Sequence, residues 1–425
     1  MNRICKYFAV AFAVLTAVAC AQKEDYSWLK NGIDTAQTQL LATAERVHGT
    51  GLMPRAIWVG YDIDFLASQL GPVAYDKVDY FRKQPSADQL GTLRLCDIYD
   101  WTSGFFPGSL WYVYEMTGNQ ECFDRAVEYT NVMYPVREYT KTHDLGFMMN
   151  CSYGNALRLA PADSVKAALI QTADNLAGRF NPQIGAIRSW DFGDWNYPVI
   201  IDNMMNLELL FSAERLTGDH RYREIAIRHA NTTLKNHFRP DCTSWHVVSY
   251  NNDGTVECKQ TFQGRSDDSA WARGQAWGVY GYTECFRETS DTTYLEFAQK
   301  IADMIMSRVT TSDAIPYWDY DAPQSDQTPR DASAAAVTAC ALFELSTYLP
   351  DGQKYFDYAE KILKSLSSED YLAAPGTNEG FVLKHSVGSL AHGSEIDTPL
   401  NYADYYYLEA IKRYMALKGI EYRNL

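Results

Sequence analysis

The chain has 425 residues, 46% hydrophobic and 14% aromatic, which is enough apolar material for one large core or two ordinary ones. Its formal net charge of −15 excludes a general nucleic-acid binder, because phosphate affinity needs a basic surface. An acidic small substrate stays open, since a pocket answers to its few local cations and not to the total. The 30 tyrosines and 10 tryptophans fill core, but they also offer flat, partly polar walls suited to sugar rings.

The first residues read as an export signal. Arg3 and Lys6 give the positive start, and Tyr7 to Val18 an apolar stretch too short to span a membrane. Two processing routes follow. Ala19-Cys20-Ala21 fits small-x-small cleavage, whereas Ala17-Val18-Ala19-Cys20 resembles a bacterial lipobox with Cys20 lipidated. A cysteine at the end of an apolar stretch is uncommon by chance, which favours the second. Residues 1–20 are then a lipoprotein-type signal peptide, and the protein is expected in the periplasm or on the outer membrane of a Gram-negative bacterium. Membrane contact is expected only through Cys20.

The first helix is predicted from Trp28 to Arg46. Gly49 to Leu95, with Pro54, Pro72 and Pro85, has no strong period and reads as loops and short strands. Beyond residue 100 a unit recurs: an apolar helix, a short polar turn, then a helix opening with an aromatic and an alanine. Thr117-Gly118-Asn119 precedes Phe123 and Ala126; Thr217-Gly218-Asp219 precedes Tyr222 and Ala226. Thr289-Ser290-Asp291 precedes Tyr294 and Ala298, and Pro350-Asp351-Gly352 precedes Tyr355 and Ala359; Pro161-Ala162-Asp163 is a weaker copy. Helix-stop and N-cap chemistry stand side by side in these turns, so each copy is an antiparallel helical hairpin. Twelve helices result, the even ones starting near Gly104, Phe147, Asp202, Ser269, Asp331 and Asn401. Short strands are expected at Ile187 to Trp190 and at Trp245 to Val248. The fold class is all-α, an (α/α)6 barrel of six hairpins spanning residues 21–425 as a single domain; an irregular helical domain is the alternative. The seven remaining cysteines (Cys96, Cys122, Cys151, Cys242, Cys258, Cys285 and Cys340) are odd in number, widely spaced and without C-x-x-C. They form neither a disulfide framework nor a zinc site, although one long-range bridge stays open.

The unusual segments all lie at the start of even helices, which in a closed ring share one end. They are Trp101-Thr102-Ser103-Gly104-Phe105, His143-Asp144-Leu145-Gly146-Phe147 and Ile201-Asp202-Asn203, together with Gln263 to Trp277 and Asn401-Tyr402-Ala403-Asp404. Six helix N-termini make a favourable seat for an anion such as a sugar carboxylate. Arg273 and His246 can add donors, Arg273 through a planar fork, while Trp101, Trp271 and Trp277 can stack on sugar faces. Each residue has a plainer reading. Asp144 and Asp202 can be N-caps, Asp267 and Asp268 can cap the eighth helix, and Trp271 and Trp277 can be core. Taken together at one mouth they read as a site.

These motifs resemble the unsaturated glucuronyl hydrolases of glycoside hydrolase family 88, from Trp101-Thr102-Ser103-Gly104-Phe105 to the segment Asp404 to Ala410. The most specific parts are His143 to Phe147, Asp202-Asn203-Met204 and Gln263 to Trp277. The resemblance implies an (α/α)6 barrel, with Asp202 as general acid and base and Asp144 as its carboxylate partner. His143, His246, Gln263, Trp271, Arg273 and Trp277 would line the substrate site, with Trp101 stacking nearby. The implied substrate is an oligosaccharide left by a polysaccharide lyase, ending in a 4,5-unsaturated uronic acid. Asp202 would protonate C4, water would attack C5, and the resulting hemiketal would open. The acid must hold a proton near neutral pH, which two close carboxylates favour by resisting joint ionisation. No metal or organic cofactor is implied. Some relatives that accept sulfated fragments carry Ser-x-x-Ser-x-Lys near the C-terminus. Here Ser386-Val387-Gly388-Ser389 is followed by Leu390 and Ala391, which leaves sulfate preference and parent polysaccharide open, with Lys384 or His385 as substitutes for the lysine. Rival readings are an unsaturated rhamnogalacturonyl hydrolase, a polysaccharide lyase and a non-catalytic glycan-binding lipoprotein.

Overall fold

The computed structural model describes residues 25–72 and 84–425. The export signal and Cys20 lie outside the described residues. No described helix is long and apolar enough to cross a membrane.

Two concentric layers of helices build the barrel. The inner layer is α3 (Phe105–Thr117), a π-helical turn Gly146–Gly154 continued by α5 (Asn155–Leu159), α7 (Leu207–Thr217), α9 (Ala272–Thr289), α11 (Ala332–Ser346) and α13 (Asn401–Lys418). Each packs on the next, and α13 returns to pack on α3, which closes the ring. The outer layer is α1 (Ser27–Val47), α4 (Gln120–Val132), α6 (Asp163–Ala177), α8 (His220–Asn236), α10 (Thr292–Arg308) and α12 (Gln353–Leu366). Sequence explains the layering: α11 has every residue from Ala332 to Phe343 buried, whereas α12 buries only Tyr355, Ala359, Ile362, Leu363 and Leu366, one stripe. Outer helices are amphipathic; α9, α11 and α13 of the inner layer are buried on every side along most of their length.

The recurring threonine has a specific task. Thr117, Thr217 and Thr289 each donate to the carbonyl four residues back and accept the N–H two residues ahead. Gly118, Gly218 and Ser290 then take left-handed φ of 72°, 76° and 59°. Asn119, Asp219 and Asp291 cap the outer helix, accepting from Cys122, Arg221 and Thr293 N–H. One hydroxyl thus finishes one helix and positions the cap of the next.

Several expectations are corrected. The segment from Gly49 to Leu95 holds a paired β1 (Met53–Ile57) and β2 (Leu93–Cys96), but also a helix, α2 (Ile63–Gln69), because Asp62 accepts from Phe65 N–H as an N-cap. The eighth helix starts at Ala272, not Ser269, whose hydroxyl donates to the Asp319 carboxylate at 2.7 Å. Asp267 does not cap it but accepts from Thr261 N–H. Asp202 does not cap either: it sits inside a 3-10 turn, Ile201–Asn206, ahead of α7. All seven cysteines are free. At the far end of the ring, where the inner helices finish, a cavity of about 670 Å³ is lined partly by Glu208, Arg287, Glu344 and Arg413. Arg287 pairs there with Glu208 at 2.9 Å and Glu344 at 3.0 Å, placing cations where helix C-termini favour them.

The two inner helices that carry the aspartates are the two with irregular first turns, and they touch. A Cβ on Gly146 would lie 2.6 Å from the Asn206 Cα, while Asn206 Oδ1 accepts from Phe147 N–H at 2.9 Å. Gly146→Ala is therefore expected to cost about 1–3 kcal/mol of stability through overpacking, read as a lowered urea midpoint.

Candidate active site

The connection after α6 holds a two-residue pair, β3 (Phe180–Asn181) and β4 (Ala186–Ile187), and a small antiparallel sheet stands at the mouth: β5 (Pro198–Ile200), β6 (Val247–Tyr250) and β7 (Val256–Gln260), in that order. Its register fixes the first half of the site. Ile200 pairs with Val247, so Ile201 N–H donates to the His246 carbonyl at 3.1 Å and the next residue, Asp202, meets the His246 ring. His246 Nδ1 accepts from Phe262 N–H at 3.1 Å and Gln263 N–H at 3.0 Å. Two N–H groups aimed at Nδ1 leave it unprotonated, so the ring proton belongs on Nε2. That nitrogen faces Asp202 Oδ1 at 3.4 Å. Asp202 Oδ1 is buried against that ring and makes no contact short enough to be a hydrogen bond. The carboxylate as a whole keeps an opening, with 8% of the side chain exposed.

The second half is built the same way. His143 N–H donates to the Ser189 carbonyl, and the His143 Nδ1 is 3.2 Å from the Ser189 hydroxyl, which itself accepts from Ile200 N–H at 2.9 Å. His143 Nε2 lies 3.2 Å from Asp144 Oδ1, and the Thr142 hydroxyl donates to Oδ2 at 2.6 Å. Burial would push the Asp144 carboxyl up, but His143, the Thr142 hydroxyl and the Arg179 charge outweigh it and hold the group below the usual carboxylate value. The expected mutual repulsion of two carboxylates does not govern Asp144.

The other predicted residues divide. Trp271 stacks obliquely on His246 with centroids 4.6 Å apart, and Gln263 donates through Nε2 to the Gly388 carbonyl at 3.1 Å. Trp101, half-buried, packs on Phe147 at 5.5 Å and Tyr402 at 4.9 Å. Trp277 is fully buried and packs on Phe147 at 5.2 Å, so it is floor beneath the site and not an open wall. Arg273 differs most from expectation. Its terminal nitrogens bind Asp331 at 2.9 Å, the Val387 carbonyl at 2.5 Å and the Gly388 carbonyl at 2.6 Å, and only 1% of the side chain is exposed. The fork secures the loop over the mouth instead of waiting for a substrate carboxylate. Asn401 and Asp404 are also structural. Asn401 donates to the Pro54 and Thr102 carbonyls, and Asp404, pushed up to about 7 by burial, accepts from Val382 and Leu383 N–H.

Sequence reasoning did not find Thr142, Ser189, Asn206 or the aromatic strip outside His246. There Trp190 stacks on Phe192 at 4.9 Å and 19°, Phe262 packs on Trp190 at 4.9 Å, and His392 meets Phe262 at 4.3 Å. Phe192 is 41% exposed. The only signal for it was the clustering of Trp190, Phe192 and Trp195 in one connection. Among the described residues no group of three or more His, Cys, Asp or Glu can hold a metal ion.

The profile of Glycosyl Hydrolase Family 88 matches residues 75–419, and that of a domain of unknown function matches residues 1–72. The chain belongs to glycosyl hydrolase family 88. This family 88 glycoside hydrolase is 47% identical over 319 residues to an unsaturated glucuronyl hydrolase of Formosa agariphila, covering 74% of this chain and 80% of that one. The crystal structure of an unsaturated glucuronyl hydrolase specific for heparin superposes with a TM-score of 0.84 at 48% identity, over 93% of this chain and 99% of that chain. A mutant of the Streptococcus agalactiae enzyme complexed with dGlcA-GalNAc6S superposes with a TM-score of 0.72 at 26% identity, over 91% of each chain. The (α/α)6 architecture of this family 88 enzyme is therefore shared with solved relatives.

His246 carries weight in the fold as well as the site. His246→Phe keeps the ring but removes the acceptor of two amides, each left unsatisfied at a cost of about 1–3 kcal/mol. Thermal melts should show a clear loss of stability; an unchanged melting temperature would contradict the tautomer assignment.

Proposed function

We propose that this enzyme removes the 4,5-unsaturated uronic acid from the non-reducing end of lyase-generated oligosaccharides of the glycosaminoglycan type. The observation that carries the reading is the pair of buried His–Asp contacts at one mouth, with the Asp144 carboxyl held below its usual value and the Asp202 carboxylate keeping a narrow opening beside the His246 ring. Asp202 delivers its proton to C4 of the vinyl ether, and oxocarbenium character develops at C5. The Asp202 carboxylate then takes a proton from water as the oxygen bonds to C5. The hemiketal so formed opens, breaking the bond to the remaining sugar. Asp144, ionised, supplies negative charge close to the positive charge that develops, and the His246 Nε2–H steadies the Asp202 carboxylate after proton transfer.

Curated relatives bear the name of this activity, which supports it over the rhamnogalacturonyl, lyase and binding-module readings. Two carboxylates embedded with imidazoles also suit hydration better than the Tyr or His base a lyase would need. The heparin specificity of the 48% identical relative makes heparin-derived disaccharides the first substrate to try, ahead of those from chondroitin, hyaluronan and pectin. The N-terminal signature supports action outside the cytoplasm, on fragments released there, with Cys20 as the point of anchorage.

The test is absorbance of the conjugated double bond in purified enzyme with each unsaturated disaccharide. Absorbance should fall; a rise on intact polymer would mark a lyase instead. Asp202→Asn should lower kcat by roughly 10²–10⁴-fold with the fold intact, the usual weight of a general acid–base group. A variant retaining most of its turnover would remove Asp202 from the proton-transfer role.

A further inference from the structure

Outside the ring of inner helices, one side chain grips both segments that flank the His143–Asp144 half of the mouth. Arg179 follows the C-terminal end of the outer helix α6 and is 8% exposed. All five of its guanidinium N–H groups are committed. Nε donates to the Arg188 carbonyl at 2.9 Å, and Nη1 to the Thr140 carbonyl at 2.7 Å and Asp191 Oδ2 at 3.1 Å. Nη2 donates to the Ser189 carbonyl at 3.3 Å and Asp191 Oδ1 at 3.0 Å. The segments it grips are those that present the chemistry. Thr140 lies two residues before Thr142, the donor to Asp144. The Ser189 carbonyl that it holds also accepts from His143 N–H, and the Ser189 hydroxyl meets the His143 ring. Asp191 sits between Trp190 and Phe192. The same outer helix adds a second strap, because Asn175 donates to the Arg137 and Tyr139 carbonyls.

We infer that Arg179 is a positioning residue for the reaction: through Ser189 and Thr140 it sets the His143–Asp144 pair, and through Asp191 it sets the Trp190–Phe192 wall in register with that pair. The inference rests on the function proposed above, but its geometry does not touch substrate. A planar fork with five donors can grip two separate segments, at Thr140 and at 188–191, in a way that one ammonium cannot. The guanidinium also contributes positive charge to Asp144. Asp144 is faced by His143 and Thr142 on its own segment, by Arg179 from α6, and by the Tyr139 phenol, which in turn stands near Asp97 and Asp191. His143 is itself within electrostatic reach of His229. Removing Arg179 therefore leaves Asp144 with fewer cations and the same anionic neighbours, so its carboxyl rises and its ionised form is lost at a higher pH.

Three measurements on the full chain test this, with Arg179→Gln and Arg179→Lys beside the wild type. On the unsaturated disaccharide, kcat of Arg179→Gln should fall roughly 10- to 100-fold, the usual cost of losing a group that orients a catalytic side chain. The acid limb of its kcat/KM profile should move to higher pH. Arg179→Lys should lose kcat comparably, because the fork is gone, while its acid limb stays close to that of the wild type. A purely structural role would lower the melting temperature and leave the pH profile of the folded enzyme where it was, which would overturn the inference. Should Arg179→Gln fail to fold, a wild-type kcat for Arg179→Lys would overturn it alone. The third readout is the NMR chemical shifts of the His143 ring, which should be displaced in either folded variant whatever substrate the enzyme takes. An undisplaced ring refutes the positioning role; wild-type inactivity on every unsaturated disaccharide refutes the proposed function and leaves that readout standing.

Discussion

Placing carboxylates in the mouth of a helical barrel costs free energy unless each finds a partner, and a helix N-terminus alone is a weak one. Here the partners are imidazoles, and the imidazoles are themselves held by main chain. His246 accepts from two consecutive amides, and His143 is pinned by both ends of Ser189. The three residues of β5 link the two arrangements, since Ile200 N–H reaches the Ser189 hydroxyl while Ile201 N–H reaches the His246 carbonyl. Everything chemical at the mouth depends on that strand keeping its register with β6. A slip of one residue would turn Asp202 away from His246 and the neighbouring apolar side chains into the mouth.

The far end of the ring follows the opposite rule. Helix C-termini favour cations, and Arg287 and Arg413 occupy that end, each answered by glutamates. Helix polarity suits these far-end guanidinium groups, whereas at the mouth Asp144 and Asp202 are met by imidazoles and Arg273 is neutralised by Asp331. The short Thr-led turns also belong to the far end, whereas long connections and the small sheet belong to the mouth. Connections are free to elaborate only where the hairpins do not have to be tight.

Much of this was legible in the amino-acid string. The threonine, glycine or serine, and aspartate or asparagine of each turn are local chemistry, so the hairpins and their order could be read directly. Helix polarity then brought His143, Asp144, Asp202, His246 and the tryptophans to one end without any contact being known. What could not be read was who had already claimed a side chain. Arg273 looks like a carboxylate receptor until the Val387 and Gly388 carbonyls, more than a hundred residues on, are seen to occupy it. Asp202 looks like a helix cap until the 3-10 turn is seen to begin one residue before it. Ser189 and Arg179 carry no motif at all, because their importance lies in three or four main-chain carbonyls and amides that no pattern of side chains encodes.

The contact between Gly146 and Asn206 has a consequence for how the enzyme can vary. The two helix starts abut with the Asn206 backbone against Gly146 and the Asn206 side chain hydrogen-bonded to Phe147 N–H, which leaves little slack to absorb a change. The distance separating the two carboxylates is therefore a property of the scaffold and is insulated from the loops above it. Loops at the mouth, such as those bearing Phe192 and His392, stand outside that contact, so a change in their sequence would leave the spacing of Asp144 and Asp202 in place.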